Sequence, residues 1–427
     1  VREDILHFVW KYKKIPTVDL LSTKVESIRI VDVGTYNHHT GPDFFNAKIA
    51  IDDQLWAGNV EIHVNSSDWY VHKHEEDPNY DNVILHVVWE DDVPVFRKDG
   101  SEIPTLELRQ YVSDNLLSSY KKLLHLSNTK FINCEKELKN INPFVIDNWL
   151  ERLYFERLEK KSAQIQALLK KSNNDWERTL FIALLKNFGL KINGDSFLSL
   201  ANNLDFSIVR KLHHDVFQLE SVLYGMTRLL NDETIVDTYF LNLEKEYCYL
   251  QKKFDMDASA VLKPEFFKLR PSNFPTIRLS QLANLYAKEN NLFDKVVRSK
   301  NLTELYDLFD VSASSYWNNH FTFGKPSKKS TKKLSKKFID LLIINTILPI
   351  KFCHTQKSGK YINEEIVSIM SGLKAEANTI IFKYKENGLA ATNAKDSQAM
   401  LQLYNEYCSK NKCLQCAIGG TLLNGIT

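Results

Sequence analysis

The sequence predicts an α+β protein, an N-terminal mixed α/β or β-rich domain followed by a mostly α-helical one. Runs of strand character crowd the first 110 residues, and apolar residues recur at helical spacing from about residue 140 onward. Charge divides in a similar place. Residues 1–110 hold 11 Lys and Arg against 20 Asp and Glu, and the remaining 317 hold 44 against 33. An acidic head on a basic body points to a cation site in one part and a surface for an anionic partner in the other. With 44% hydrophobic and 25% charged residues, the chain of 427 has the composition of a folded protein and room for two or three domains.

Within the head, Ile5, Phe8, Val9 and Tyr12 recur at helical spacing until Pro16 ends the run. Strands are expected over 25–33, 44–51, 55–64, 82–89 and, more weakly, 93–96. Gly34, Gly41-Pro42, Asp52-Asp53, Pro78 and Gly100 separate them. Ser66-Ser67-Asp68-Trp69 reads as the capped start of a short helix between the third and fourth strands. The domains are therefore drawn as 1–110, a linker or helix over 111–140, and a helical basic domain over 141–427. In the last, Trp149, Leu150, Leu153, Tyr154 and Leu158 form one apolar stripe, and Trp176, Leu180, Leu184, Leu185 and Phe188 another. Helices are also expected over 207–230, 232–254, 279–287, 334–347, 364–387 and 396–408.

The densest chemistry lies in the head. Asp43 opens one strand, Glu61 sits within the next, and His63 shares a face with Glu61 by the two-residue period. Two carboxylates on neighbouring strands repel unless a cation lies between them, so Asp43, Glu61 and His63 are candidate catalytic residues and ligands for Mg²⁺ or Mn²⁺. Histidine is also concentrated here, with His38, His39, His63, His72, His74 and His86 within 49 residues. Asp68 and His72 share a helical face, and with His63 and His74 they offer an alternative Zn²⁺ shell. His38 and His39 read as loop residues, and His86 as buried.

Pro42-Asp43 followed by Glu61-Ile62-His63 resembles the signature of the PD-(D/E)xK nuclease superfamily, with histidine where lysine is usual. The resemblance covers about 90 residues and implies a helix–three strands–helix–strand core. It also implies a metal held by Asp43, Glu61 and the Ile62 carbonyl, with His63 near the attacking water. The whole chain is also similar to an uncharacterised bacterial family known only as a domain of unknown function. That similarity runs from Gly41-Pro42-Asp43-Phe44 through Val60-Glu61-Ile62-His63 and Leu85-His86-Val87-Val88 to the terminal cysteines, and implies no activity.

In the body, Cys408, Cys413 and Cys416 are spaced C-x4-C-x2-C. With Cys353 they are expected to hold Zn²⁺ or a [4Fe–4S] cluster, while Cys134 and Cys248 read as isolated thiols. Seven lysines fall within residues 325–337. Lys328, Lys329, Lys332, Lys333 and Lys336, repeating every four residues, are expected to line one helical face and contact phosphates. Arg270 and Arg278 flank a proline-held turn and are further candidate nucleic-acid contacts, and Phe321 and Phe323 could stack on bases.

Six cysteines are too few for a disulfide scaffold, and Val1-Arg2-Glu3-Asp4 does not read as a secretory signal, so the reducing cytoplasm is the expected compartment. The apolar stretch 338–350 is shorter than the roughly 20 residues of a membrane span, and no membrane association is expected. No Walker-type loop, dinucleotide fingerprint, G-x-S-x-G or H-E-x-x-H is present. Two functions remain: a metal-dependent nuclease or nucleic-acid-processing protein, and a non-catalytic nucleic-acid- or protein-binding assembly factor with structural metal sites.

Overall fold

The computed structural model describes residues 1–37, 40–124, 130–359 and 363–423. His38 and His39 lie outside the described residues. The fold is α+β: a sheet-containing N-terminal region precedes a mostly helical one. The chain divides into two compact units. The first comprises Val1–Trp149, Lys383–Leu389 and Leu403–Thr427, and the second Leu150–Phe382 and Ala390–Gln402. The C-terminal cysteine segment thus belongs with the sheet, although it follows the helical body in sequence.

Helix α1 (Glu3–Lys11) opens the first unit, its Ile5, Leu6, Phe8, Val9 and Trp10 buried. The sheet contains β1 (Leu20–Leu21), β2 (Ser27–Asp32), β3 (Thr35–Tyr36), β4 (Phe44–Ile51), β5 (Gln54–Asn65), β6 (Val83–Glu90) and β7 (Thr105–Glu107). Its order is β1-β2-β4-β5-β6-β7, with β3 paired to β4. Strands β4 and β5 form a hairpin closed by Asp52-Asp53, with Asp52 left-handed at φ 48°. Pairing changes to parallel between β5 and β6, where Glu61 stands beside His86. The crossover that parallel pairing requires carries the short helix α2 (Asp68–Val71).

The long strands fall close to their expected positions, but Val93–Phe96 forms only an isolated bridge from Phe96 to Glu102. The short strands β1, β3 and β7 carry too few residues for a readable alternation. In β4 the register slips between Phe44 and Ala47, and Asn46 takes a left-handed φ of 56°. This bulge separates Asp43 from the regular ladder and re-aims the start of the strand.

The second unit is mostly helical, with a two-stranded ribbon of His320–Thr322 and Lys325–Pro326. Two of its expected helices are each broken in two: 207–230 becomes Phe206–Leu212 and Val216–Met226, with Asp215 capping the second, and 364–387 becomes Asn363–Gly372 and Thr379–Glu386. The apolar run extends further than its sequence core implied. Lys336–Lys357, which contains a π-turn at Ile343–Ile347, is 22 residues long and apolar enough to cross a membrane. Yet 78% of its apolar window is buried inside the protein, as in a core helix.

Gly58 on β5 shows how closely β6 is fitted to the strand that carries Glu61 and His63. A Cβ there would lie 2.4 Å from Ile84 Cγ2 and 2.7 Å from the Asn82 carbonyl oxygen. The second contact is backbone and cannot rotate away. Gly58→Ala is therefore expected to destabilise the protein by about 1–3 kcal/mol, measured by urea denaturation. An unchanged midpoint would show that β6 can move freely.

Candidate metal centre

Four side chains of the first unit converge beside the β5–β6 pair. Glu61 and His63 project from one face of β5, as residues two apart must, and their side chains are almost wholly buried. His72 ends helix α2, where its N–H donates to the Asp68 carbonyl at 3.0 Å. Lys73 then takes a left-handed φ of 59° and the chain folds back, with the His74 N–H donating to the Trp69 carbonyl at 3.0 Å. That reversal directs both His72 and His74 toward the strand.

His63 Nε2 lies 3.2 Å from His72 Nδ1 and 3.5 Å from Glu61 Oε1. His74 Nε2 lies 3.3 Å from the same Glu61 oxygen. One ligand atom from each of the three histidines falls within 4.8 Å of the other two. A tetrahedral ion bonded at about 2.0–2.1 Å separates its ligand atoms by roughly 3.3 Å. The three measured pairs, at 3.2–3.5 Å, match that spacing. His72 is exposed while His63 is buried, so the centre reaches solvent on one side.

The surroundings orient these groups. His63 Nδ1 is 2.9 Å from Nε2 of the fully buried His86. With the proton on His63 Nδ1, Nε2 offers its lone pair toward the centre, the usual second hydrogen bond of a metal-bound histidine. Tyr80 stacks on His74 at 3.8 Å, and buried Trp69 packs edge-on against it at 5.3 Å. The Asp43 N–H donates to Glu61 Oε2 at 3.0 Å, and the Ile62 N–H donates to Asp43 Oδ2 at 3.0 Å. His7 of α1 meets the same Asp43 oxygen at 3.1 Å.

Titration follows from burial and crowding. Desolvation and the Asp43 charge push the Glu61 carboxyl up to about 9. Burial, with the neighbouring imidazoles His86, His74 and His72, pulls His63 down to about 2. Burial takes His86 to about 3 and also lowers His74. At neutral pH His63, His74 and His86 are therefore uncharged, leaving His63 and His74 able to ligate. His7 behaves oppositely: burial opposes its charge, but the Asp43 carboxylate, then Glu3 and Glu61, outweigh burial and raise its pKa.

The expected residues are thus redistributed. Glu61, His63, His72 and His74 come together, with His86 behind them. Asp43 is tied to Ile62 and His7. The carboxylate found beside the histidines is Glu61, whose Oε1 faces His63 and His74, while Asp68 Oδ2 accepts the Asn65 N–H at 3.0 Å. His7 carries no motif and was missed; its polar ring beside the apolar face of α1 was the available signal.

In the second unit, the lysine stripe is corrected. Residues 327–335 form no helix, and the helix begins only at Lys336. Lys332 is buried, its Nζ donating to Ser330 Oγ at 2.6 Å, and Lys333 pairs with Asp310 at 2.5 Å. Lys336 lies over the Tyr306 ring, while Lys328 and Lys329 are exposed. Arg278 is also withdrawn: it is buried over Phe338 and donates to Gln281 and Asn273 at 2.9 and 2.6 Å, whereas Arg270 is exposed. Phe323 is buried among Tyr224, Trp317 and Phe240 and cannot stack on a base.

Cys353 too is corrected as the partner of the C-terminal cysteines. It lies in the second unit near Ser162 and Gln166, whereas Cys408, Cys413 and Cys416 lie in the first, beside Cys134.

Fold and site together define an α+β protein with a candidate metal centre of three histidines and a glutamate. The chain belongs to the family described as Protein of unknown function (DUF2851), which it matches over residues 3–379. The matched span takes in the whole histidine site and Cys134, and stops before Cys408. No curated protein and no solved structure matches the chain.

The shifted groups set a pH profile for protein stripped of metal. Unfolded, His63 and His86 take up protons below their ordinary 6.5, while folded they refuse them to about 2 and 3, so stability falls as pH drops below 6.5. Glu61 acts in reverse: it keeps its proton to about 9 when folded and loses it near 4.5 when unfolded, so stability falls as pH rises between those values. Two imidazoles outweigh one carboxyl below 6.5, and greatest stability is expected near that pH. Glu61→Gln is expected to remove the alkaline loss and leave the acid limb. Urea denaturation across pH measures both; a flat profile between pH 6.5 and 9 in the stripped wild type would refute the assignment.

Proposed function

We propose that the first unit is a metal-dependent phosphodiester hydrolase, a nuclease of the reducing cytoplasm. The observation that carries this reading is the set of four donors, His63, His72, His74 and Glu61, separated by 3.2–3.5 Å where measured and open to solvent at His72. Three imidazoles and a carboxylate suit Zn²⁺ or Mn²⁺ better than Mg²⁺, which prefers an all-oxygen shell. A bound divalent ion would lower the pKa of a water and brace charge on a phosphate.

The phosphodiester class is supported by the order α1, β2, β4, β5, α2, β6, which follows the helix–three strands–helix–strand pattern once the two-residue strands β1 and β3 are set aside, with Asp43 just before β4 and Glu61 within β5. His63 replaces the lysine of that pattern as a neutral ligand, so the fixed positive charge must come from elsewhere. His7 supplies it. Asp43 favours its protonated form, which can hold a phosphate oxygen or protonate the leaving one. Asp43 is then a positioning residue, holding His7, the Ile62 amide and, through its own N–H, Glu61. Exposed Arg270, Lys328 and Lys329 are the remaining candidates for contacts to a nucleic-acid backbone.

A second reading rests on the same shell. Four protein donors complete a tetrahedron, which is the form of a structural site, and would make this unit a binding module in an assembly factor. Turnover separates the two. Full-length protein with Mn²⁺ or Zn²⁺ is expected to cleave DNA or RNA, to stop on chelation, and to lose on the order of 100-fold or more in His72→Ala. His86→Phe is expected to weaken metal binding roughly 10–100-fold, as loss of a ligand's hydrogen-bond partner does. Metal binding without cleavage of any DNA or RNA would favour the binding module.

A further inference from the structure

The first unit gathers four free cysteines at a second place. Cys408 ends a π-helical run, Leu403–Cys408. The chain then reverses through Asn411, left-handed at φ 54°, whose N–H donates to the Cys408 carbonyl at 3.2 Å. A 3-10 turn, Cys413–Gln415, follows, and Cys416 in extended conformation leads into the helix Ala417–Leu423. Gly419 allows the close return: a Cβ there would lie 2.1 Å from the Cys413 carbonyl oxygen. The fourth cysteine arrives from far earlier in the sequence. Asn133, next to Cys134, donates from Nδ2 to Asn411 Oδ1 at 3.1 Å and to Cys413 Sγ at 3.4 Å, pinning its segment to the terminal loop.

We propose that Cys134, Cys408, Cys413 and Cys416 form a four-thiolate centre that holds an iron–sulfur cluster, which spaces its ligand sulfurs more widely than a single zinc ion does; no three of these sulfurs lie within 4.8 Å of one another.

A cluster of inert core thiols would be surrounded by apolar atoms. Here the sulfurs are met by polar groups instead. Cys413 Sγ accepts from the Asn133 amide, and Cys408 Sγ lies 3.4 Å from the Tyr384 hydroxyl. Cys416 faces the backbone N–H groups of Ile418 and Gly419 and the Trp149 indole. Thiol sulfur is a weak acceptor, whereas metal-bound thiolate sulfur takes such bonds readily and is tuned by them. The Cys134 thiol lies within electrostatic reach of the other three, and Cys408 within reach of Cys413 and Cys416. Burial raises all four, and neighbouring thiols add to it for Cys134, Cys408 (to about 12) and Cys416 (to about 11). A cation among them would reverse that by stabilising the deprotonated form.

The centre would close the fold rather than catalyse, since four protein ligands leave no position for a substrate. It would join the Cys134 segment to the C-terminal loop, a link across more than 270 residues of sequence. It is independent of the histidine site and stands whether or not that site turns over.

The test uses full-length protein purified without oxygen, in a Glu61→Ala, His72→Ala background so that the histidine site adds no metal. Analysis is expected to give iron and acid-labile sulfide with visible absorbance, and zinc alone would overturn the cluster. Cys134→Ser is expected to lose the metal, and Cys353→Ser and Cys248→Ser to keep it. Should Cys134→Ser not fold, peptide-resolved alkylation of the unmutated cysteines decides: Cys134, Cys408, Cys413 and Cys416 are expected to become reactive together on metal removal, with Cys353 unchanged. Protein without iron, metal lost in Cys353→Ser but kept in Cys134→Ser, or alkylation indifferent to metal removal would each overturn the proposal.

Discussion

The Glu61 carboxylate is held almost out of water, one oxygen on the Asp43 N–H and the other between His63 and His74. A bare charge there is costly, and the crowding of Asp43 makes it more so. Much of the first unit is arranged around that cost. The β4 bulge frees Asp43 to exchange hydrogen bonds with β5, the left-handed turn at Lys73 brings His74 to Glu61 and His72 to His63, and parallel pairing sets His86 behind His63. Without a cation, Glu61 keeps a proton and His63, His74 and His86 stay neutral. With one, the same atoms become a matched set of ligands.

A good part of this was legible in the sequence. The long strands announce themselves because β-branched and aromatic residues alternate between Gly, Pro and Asp turns, and period two alone places Glu61 with His63. Clustering pointed to His72 and His74. Which carboxylate stands with the histidines was not legible, because Asp68 and Glu61 each accept a backbone N–H and only the fold sets the free Glu61 oxygen beside His63 and His74. His7 was hidden for a similar reason, since its partner Asp43 lies 36 residues away.

The basic body misled for a physical reason. A lysine every fourth residue satisfies a helical pattern, but Ser327, Ser330 and Ser335 interrupt it, and burial of Lys332 fixes an extended path instead. Cys353 and Cys134 exchange roles on similar grounds. Cys353 is nearer in sequence to the terminal cysteines, yet it lies within the buried helix Leu348–Lys357 of the second unit, while Cys134 occupies a turn that Asn133 ties to the terminal loop. Sequence distance is a poor guide to ligand sets when a chain returns to its first unit at its end.

The histidine centre is tested most directly by pulsed electron paramagnetic resonance on protein loaded with one equivalent of Mn²⁺, an ion with little affinity for thiolates. The account expects nitrogen couplings from coordinated imidazoles in the wild type, fewer in His72→Ala, and no ordered binding in Glu61→Ala. A spectrum like that of hydrated Mn²⁺, without nitrogen coupling, would contradict it.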